Sequence, residues 1–275
     1  MADISPELLA QINAQFEENI ENNRRIKELL TLLETGKATY KEANEYAVLV
    51  GDSLARAYNS VLSSSVLPDG RMYYNIANAV VRPTLERDHS IIVDFAGTVQ
   101  KLLNEKAGIG LNAIFPKVDQ NRIQGILDRL AEAEDYDLIS WILGEPVRNF
   151  SQNVVDETIK ENAAFQFNSG MAPVIIRTAE APGTGSVKRG NKVYKYQVPC
   201  KWCKALEGVY EYADVSGRGE DVFRRHEGCR CIIEYSPDGL KRQNVHTKQW
   251  GAKAFSTEEQ LAVRKLFGLE GNNGG

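Results

Sequence analysis

The sequence has few of the residues that usually bind metals or form redox pairs. Its 275 residues include only four cysteines and three histidines, and no cysteine precedes Cys200. No apolar run approaches the roughly 20 residues that a membrane-spanning helix requires. The segment Met1–Glu7 also lacks the basic and apolar regions of a signal peptide. We therefore expect no membrane partner and no secreted disulfide scaffold, and a protein made in, and suited to, a reducing cytoplasm.

The composition is that of an ordinary globular protein, but its charge is unevenly distributed. Hydrophobic residues make up 43% of the chain and charged residues 25%. The length allows one large domain or two ordinary ones. Residues 1–170 carry 16 Lys and Arg against 25 Asp and Glu, whereas residues 171–255 carry 15 against 9. This asymmetry suggests that the two regions have different partners.

The first 168 residues are predicted to be almost wholly helical. Ser5, followed by a proline, begins a helix whose apolar stripe runs to Gly36. Three asparagines interrupt the middle of this helix: Asn19, Asn22 and Asn23. The capping-box pattern from Thr39 to Glu42 opens a second helix, which Pro68 and the two residues after it stop.

Further apolar stripes extend the helical region. A third helix contains Tyr74 to Val80, and Pro83 is expected to kink or break it before the next helix. Two more helices are predicted over 119–133 and 147–167. Such stripes are typical of a packed core, so we predict an elongated helical bundle that serves for assembly or docking over residues 1–170.

After residue 170 the periodicity changes from helix to strand. Four strands are predicted: Val174–Thr178, Lys192–Val198, Gly208–Tyr212 and Ile232–Tyr235. The Gly-rich stretch 181–190 is predicted to be a flexible hairpin loop or linker. The predicted fold class is thus α+β, with a small zinc-stabilised β module over 171–240. A tail over 241–275 carries one short helix.

All four cysteines and one histidine lie within 32 residues, in two groups. Cys200-x-x-Cys203 is the first group, and His226-x-x-Cys229-x-Cys231 is the second. This spacing is typical of two halves of a zinc site. Two ligand sets stay open: three cysteines with the histidine, or four cysteines with the histidine outside them. We favour Cys200, Cys203 and His226 together with one of the last two cysteines.

Other roles for these thiols are two disulfides, redox chemistry or inert buried thiols. A closed site of four protein ligands has no open position for water, so it is structural and not evidence of catalysis. We therefore predict no enzyme activity. The competing hypothesis is a nuclease, with His226 as general base and a second metal on Asp214, Glu220 or Asp221.

The region around the cysteines is basic, which suggests contact with nucleic acid. Tyrosines and a tryptophan are interleaved with these charges. The candidate nucleic-acid-binding residues are Lys188, Arg189, Lys192, Lys195, Arg224 and Arg225. Arg177 and Arg230 add to the same charge. Basic residues beside thiolates can also simply balance their negative charge, and exposed lysines are ordinary. A zinc-containing DNA-binding protein is therefore a second alternative.

The combined motif also resembles a known family. Cys200-x-x-Cys203, then Leu206-Glu-Gly-Val-Tyr210, then His226-x-x-Cys229-Arg-Cys231-Ile-Ile is similar to the minor head, or head-morphogenesis, proteins of tailed bacteriophages. The match covers about residues 195–235, and the helical part agrees only in type and length. Glu227 departs from the family, which usually has proline after the histidine.

The resemblance implies a structural component of the virion. Members of the family lie inside the capsid near the portal, in few copies. Portal protein, and major capsid protein or scaffold, are the partners it implies, with packaged double-stranded DNA as a further contact. It also implies a role in head assembly, genome packaging or ejection. Zinc is the expected cofactor.

Overall fold

The computed structural model describes residues 3–179, 183–189, 192–216, 222–226 and 228–237. The helices in this part of the chain are α1 Ser5–Glu21, α2 Arg24–Glu34, α3 Tyr40–Val61, α4 Tyr74–Lys106, α5 Gln120–Glu132, α6 Tyr136–Ile139, α7 Glu145–Asn168, α8 Lys201–Ala205 and α9 Tyr212–Val215. The strands are β1 Val174–Thr178, β2 Gly183–Arg189, β3 Lys192–Val198, β4 Gly208–Glu211 and β5 Ile232–Ser236. The α+β class is therefore confirmed.

The predicted first helix is two helices. Asn23 caps α2, because its side-chain oxygen accepts hydrogen bonds from the backbone N–H groups of Arg25 and Ile26 at 3.0 and 3.2 Å. The first backbone N–H groups of a helix have no partner within that helix, and here the Asn23 side chain supplies one. Its capping contacts therefore mark the start of a new helix. The prediction of one helix to Gly36 was therefore wrong. The capping box at Thr39, in contrast, opens α3 as predicted.

The proline at position 83 does not break the fourth helix. α4 runs without interruption for 33 residues, about 50 Å at 1.5 Å per residue. Buried residues flank Pro83 on both sides, including Val80, Val81 and Leu85. Their burial offsets the roughly 3 kcal/mol that an interior proline costs. Of the predicted kink or break, the break was wrong, because core packing outweighs this local penalty.

A three-stranded antiparallel sheet follows the helices, in the order β4-β1-β5. β1 is central, with Ile175 opposite Tyr210 on one side and Tyr235 on the other. Tyr235 also meets the ring of Tyr40 in α3 edge-on, with centroids 6.3 Å apart. Ile233 belongs to the same cluster of buried side chains as the helices. The sheet and the helical bundle therefore share one core across the predicted boundary at residue 170.

The stretch predicted to be a flexible loop or linker contains a strand. β2 pairs with β3 in an antiparallel hairpin whose register places Arg189 opposite Lys192. The prediction failed here because glycine and serine have low β propensity, and pairing with β3 overrides it. The predicted tail helix lies outside the described residues. Within the described ranges, no helix is long and apolar enough to cross a membrane.

Candidate metal centre

Two short segments bring the cysteines and the histidine together. Cys200 is the N-cap of α8, and its sulfur accepts a hydrogen bond from the Cys203 N–H at 3.4 Å. This is the turn expected of a C-x-x-C half-site. In the second segment, the Cys229 N–H donates to the His226 carbonyl at 3.1 Å. Gly228, with φ of 76°, allows the tight turn between them.

The donor atoms lie close enough to share one ion. The Nε2 of His226 is 3.3 Å from the sulfur of Cys200 and 2.9 Å from that of Cys203. The sulfur of Cys203 is also 3.8 Å from that of Cys229. Tetrahedral zinc with Zn–S near 2.3 Å and Zn–N near 2.0 Å sets ligand separations of about 3.8 Å between sulfurs and about 3.6 Å between sulfur and nitrogen. The observed sulfur pair matches this spacing, whereas the two pairs with the histidine nitrogen are shorter than it by about 0.3 and 0.7 Å.

The five donors form two overlapping groups. Cys200, Cys203 and His226 make one group, and Cys203, Cys229 and Cys231 make the other, with the donor atoms of each group within 4.8 Å of one another. Cys203 belongs to both groups and is the residue that connects them. We therefore expect Cys203 to be a ligand in any set of four that takes donors from both groups. All four cysteines are free thiols, and three of them are buried. The cluster therefore fits a metal ion better than the disulfide alternative.

A buried guanidinium compensates the charge of the sulfurs. Arg177 in β1 is 1% exposed, and its Nη2 donates to the sulfur of Cys229 at 3.7 Å. Its Nη1 donates to the carbonyls of Val222 and Arg224 at 2.6 and 2.9 Å. Its guanidinium also lies 5.3 Å from the ring centre of Trp202. Arg177 thus holds the segment that precedes His226 against the central strand β1.

The thiols are not equivalent electrostatically. Hydrogen bonds from the thiols of Cys203 and Cys231 hold the pKa of Cys229 well below its ordinary value, and Arg225 and Arg177 act in the same direction. Hydrogen bonds to Cys229 and Cys231 raise the pKa of Cys203, because the Cys203 thiol is the donor in both. The surroundings of Cys229, including the nearby Arg177 guanidinium, therefore stabilise negative charge on its sulfur.

The second half-site is fixed to the helical bundle by a buried ion pair. Arg225 pairs with Asp156 in α7 at 2.5 Å, with side chains 3% and 1% exposed. The Nη1 of Arg225 donates to the carbonyl of Cys231 at 2.6 Å, and its Nη2 donates to Asn44 in α3 at 2.8 Å. Asn44 in turn donates to the carbonyl of Ile233 at 2.9 Å. One arginine therefore joins two helices to the backbone of a candidate ligand.

A buried glutamine completes this network. Gln152, in the amide orientation that its neighbours require, donates to the carbonyl of Cys229 at 2.9 Å and accepts from Arg225 at 3.1 Å. Sequence reasoning missed Asn44, Gln152 and Asp156. The available signal was the position of Asp156 within the apolar stripe of α7, beside Val155. A carboxylate in such a stripe requires a buried partner.

The structure corrects part of the predicted nucleic-acid surface. Arg225 is buried in its ion pair, so its guanidinium is not available to phosphate, and the same holds for Arg177. Arg230 pairs with Glu145 in α7 at 2.7 Å. Of the other candidates, Arg224 is exposed beside His226, and Lys192 and Lys195 are exposed on β3. Lys188 and Arg189 lie on β2 of the same hairpin.

Of the acidic residues proposed for a nuclease, Asp214 lies in the described part of the chain, where it is exposed in α9. Glu220 and Asp221 lie outside the described residues. His89 is buried in α4, and this burial lowers its pKa. Among the described residues, the groups of His, Cys, Asp and Glu that could hold a metal are the two that share Cys203.

The fold and the site together define an α+β protein with a cysteine and histidine cluster in which Cys203, Cys229 and Cys231 are buried and Cys200 and His226 are half-buried. Compared with protein-family models, curated proteins and solved structures, the chain shows no match. The Cys/His cluster could hold a metal ion, and its donor set is compatible with zinc.

Proposed function

We propose that the cysteine and histidine cluster binds one zinc ion with a structural role. The observation that carries this proposal is the proximity of four soft or borderline donors. His226 Nε2 is 3.3 and 2.9 Å from the sulfurs of Cys200 and Cys203, and the sulfurs of Cys203 and Cys229 are 3.8 Å apart. Zinc would replace thiol protons with metal–sulfur bonds, and Arg177 and Arg225 would offset the resulting charge. Four protein ligands leave no site for a reacting water, so the proposed role is not catalytic.

The direct test is metal analysis of the purified protein. We expect one zinc per chain, lost in Cys203→Ser because that thiol belongs to both donor groups. His246→Ala, which changes a histidine outside the motif, is the matched control and should retain the metal. A zinc content below half an equivalent in the wild-type protein, prepared with zinc, would contradict the proposal.

Chelation then tests whether the ion stabilises the fold. We expect β4 and β5 to exchange their amide protons faster once zinc is removed, because β4 begins five residues after Cys203 and β5 begins directly after Cys231. α1 and α4 provide the internal control, since they lie in the bundle and contain no predicted ligand. An unchanged melting profile and unchanged exchange after complete zinc removal would show that the metal does not hold the module.

At the biological level, we propose a minor head protein of a tailed-phage virion. Support comes from the order of the motif, C-x-x-C, then the Gly-Val-Tyr210 step, then His226-x-x-Cys229-Arg-Cys231, after a long helical region. The proposed location is the capsid interior near the portal, with portal protein and major capsid protein or scaffold as partners. Its proposed task is to aid head assembly, genome packaging or ejection.

A mass-spectrometric inventory of purified particles tests this role. The protein should be present in the particles at a few copies, together with zinc in the same fraction. Portal protein should also co-purify with the tagged full-length chain from infected cells. Absence of the protein from purified particles would overturn the virion proposal while leaving the zinc proposal intact.

A further inference from the structure

The three-stranded sheet has two edges, and they differ in what covers them. β5 forms one edge and contacts α3. Asn44 of α3 donates to the carbonyl of Ile233 at 2.9 Å, so a backbone group that points out of the sheet has a partner inside the protein. β4 forms the other edge, and within the described ranges no strand pairs with its outer side. The β4 edge is therefore the one open to further pairing.

The register of β4 shows which of its backbone groups point outward. The N–H of Tyr212 donates to the carbonyl of Pro173 at 2.9 Å, which continues the ladder between β4 and β1. In an antiparallel pair, residues that exchange hydrogen bonds alternate with residues that do not. The N–H groups of Val209 and Glu211 therefore point away from β1, and they have no hydrogen-bond partner among the described residues. Free backbone groups on a strand edge form a template for another strand.

The side chains along this open edge carry negative charge in a regular pattern. Glu207, which directly precedes β4, and Val209 and Glu211 within it are exposed, whereas Tyr210 between them is buried. Val209 is 52% exposed, and it lies opposite the half-buried Ile176 of β1. An added strand would place every second side chain beside the three exposed ones. The pattern therefore favours a strand with basic, apolar and basic residues at alternate positions.

The same pattern disfavours two other occupants. Two copies of β4 paired antiparallel about Val209 would place Glu207 of one copy opposite Glu211 of the other, and like charges directly opposite each other destabilise a sheet. A nucleic acid would bring phosphate charge beside both carboxylates. The free backbone groups thus select a polypeptide strand, and the two carboxylates select a basic one.

We propose that the open edge of β4 binds a basic strand of a partner protein by strand addition. The backbone of this strand would exchange hydrogen bonds with Val209 and Glu211. Two of its Lys or Arg side chains would lie beside Glu207 and Glu211, and the apolar side chain between them would pack on Val209 and Ile176. The proposal goes beyond the zinc and virion roles and requires neither of them, because it rests on one edge of the sheet.

Val209→Pro removes an outward N–H group and leaves the native ladder between β4 and β1 intact. Proline is tolerated on an edge strand where the N–H side faces away from the sheet, and it blocks pairing on that side. Val209→Thr is the matched control, because it keeps both the N–H group and the β-branched shape. Glu207→Lys tests the charge, and Glu134→Lys, at an exposed glutamate between α5 and α6, controls for the same change in net charge. Thermal melting and zinc content check that each variant is folded.

The probe is a fluorescein-labelled peptide of about seven residues, enough to cover β4, with Lys, Val and Lys at alternate positions and Thr elsewhere. Fluorescence polarisation with the full-length, zinc-loaded protein should show saturable binding. We expect Val209→Pro to weaken binding about tenfold, because hydrogen bonds on the open edge are lost. Glu207→Lys should weaken it about threefold or more at low salt, and both control variants should stay within about twofold of the wild-type protein.

Hydrogen exchange of the wild-type protein gives a second test that needs no substitution. The amides of Val209 and Glu211 should exchange more slowly when the peptide is bound, because each N–H then has a partner. Unchanged exchange at both amides with saturating peptide would overturn the proposal.

Four further results would each overturn it. One is no saturable binding of the basic peptide at millimolar concentration. Another is equal binding by the wild-type protein and Val209→Pro. The third is equal binding of a peptide with Glu in place of both Lys residues, since the edge would then not select a basic strand. The fourth is a dimer of the free protein that Val209→Pro abolishes, which would assign the edge to a second copy. None of these results affects the metal content or the particle inventory, so failure here is distinguishable from failure of the proposed function.

Discussion

Asp88 is a carboxyl group buried inside the helical bundle. It is 0% exposed in α4, and the Ser151 hydroxyl donates to its Oδ2 at 2.8 Å. Its Oδ1 has no partner among the described residues. Burial raises the pKa of Asp88 to about 8, although the hydrogen bond from Ser151 opposes the shift. The folded protein therefore keeps this side chain protonated at neutral pH.

The raised pKa makes stability depend on pH with a definite sign. Below the ordinary pKa of aspartate, about 4, both the folded and unfolded chains carry the proton. Between about pH 4 and 8 the folded state keeps a proton that the unfolded state releases. The free energy of unfolding then falls by about 1.4 kcal/mol per pH unit. Stability present at acid pH is lost as the pH rises through 8, and the full loss is on the order of 5 kcal/mol.

Asp88→Asn removes the titrating group and should remove this slope. Urea denaturation at pH 5, 6, 7 and 8 gives the free energy of unfolding of each protein, and the variant minus wild-type difference isolates the contribution of residue 88. We expect this difference to rise by several kcal/mol in favour of the variant over the range. Asp94→Asn, an exposed aspartate of the same helix, is the control. Parallel pH curves for wild-type protein and Asp88→Asn would refute the reasoning.

Two further predictions concern packing and the buried ion pair. Asp156→Ala leaves the Arg225 guanidinium buried without its anion, so we expect urea denaturation to show a loss of about 3–5 kcal/mol; a loss below about 1 kcal/mol would contradict it. Gly51→Ala places a Cβ 2.9 Å from the Cβ of Ser151 and 3.1 Å from the backbone Cα of Arg148, both in α7, which should cost about 1–3 kcal/mol. Gly125→Ala has open space and should gain about 0.5–1 kcal/mol, so equal melting shifts for the two glycines would be inconsistent with this packing.

The fold was predictable where local signals agree with the tertiary structure. β1 and β3 begin and end at the predicted residues, because their β-branched and aromatic residues favour strands. β2 could not be found this way, since Gly183, Gly185 and Ser186 favour a loop until β3 supplies the hydrogen bonds. Pro83 shows the opposite failure. It signals a break, and only the burial of the residues around it keeps α4 continuous.

The candidate site was predictable in its donors but not in its surroundings. The donors are found from sequence because each half-site is a local turn with a fixed spacing. The role of Arg225 could not be predicted from the sequence. An arginine is most often exposed, and its partner Asp156 lies 69 positions away in the chain. Only the folded chain brings α7 beside the second half-site. For Arg225, charge in the sequence therefore indicated a contact with nucleic acid where the structure has an internal ion pair.

The register of the sheet determines how the module responds to a pulling force. Val174 lies opposite Ser236 at one end of the β1–β5 pair, and Thr178 lies opposite Ile232 at the other. A force applied between the end of α7 and residue 237 acts at the Val174 end, so the hydrogen bonds of this pair break one after another instead of shearing together. The opening proceeds toward Ile232, which follows Cys231. A zinc ion bound by Cys231 would stop the separation of the two strands at Ile232, and the applied force would then act on the metal–thiolate bonds.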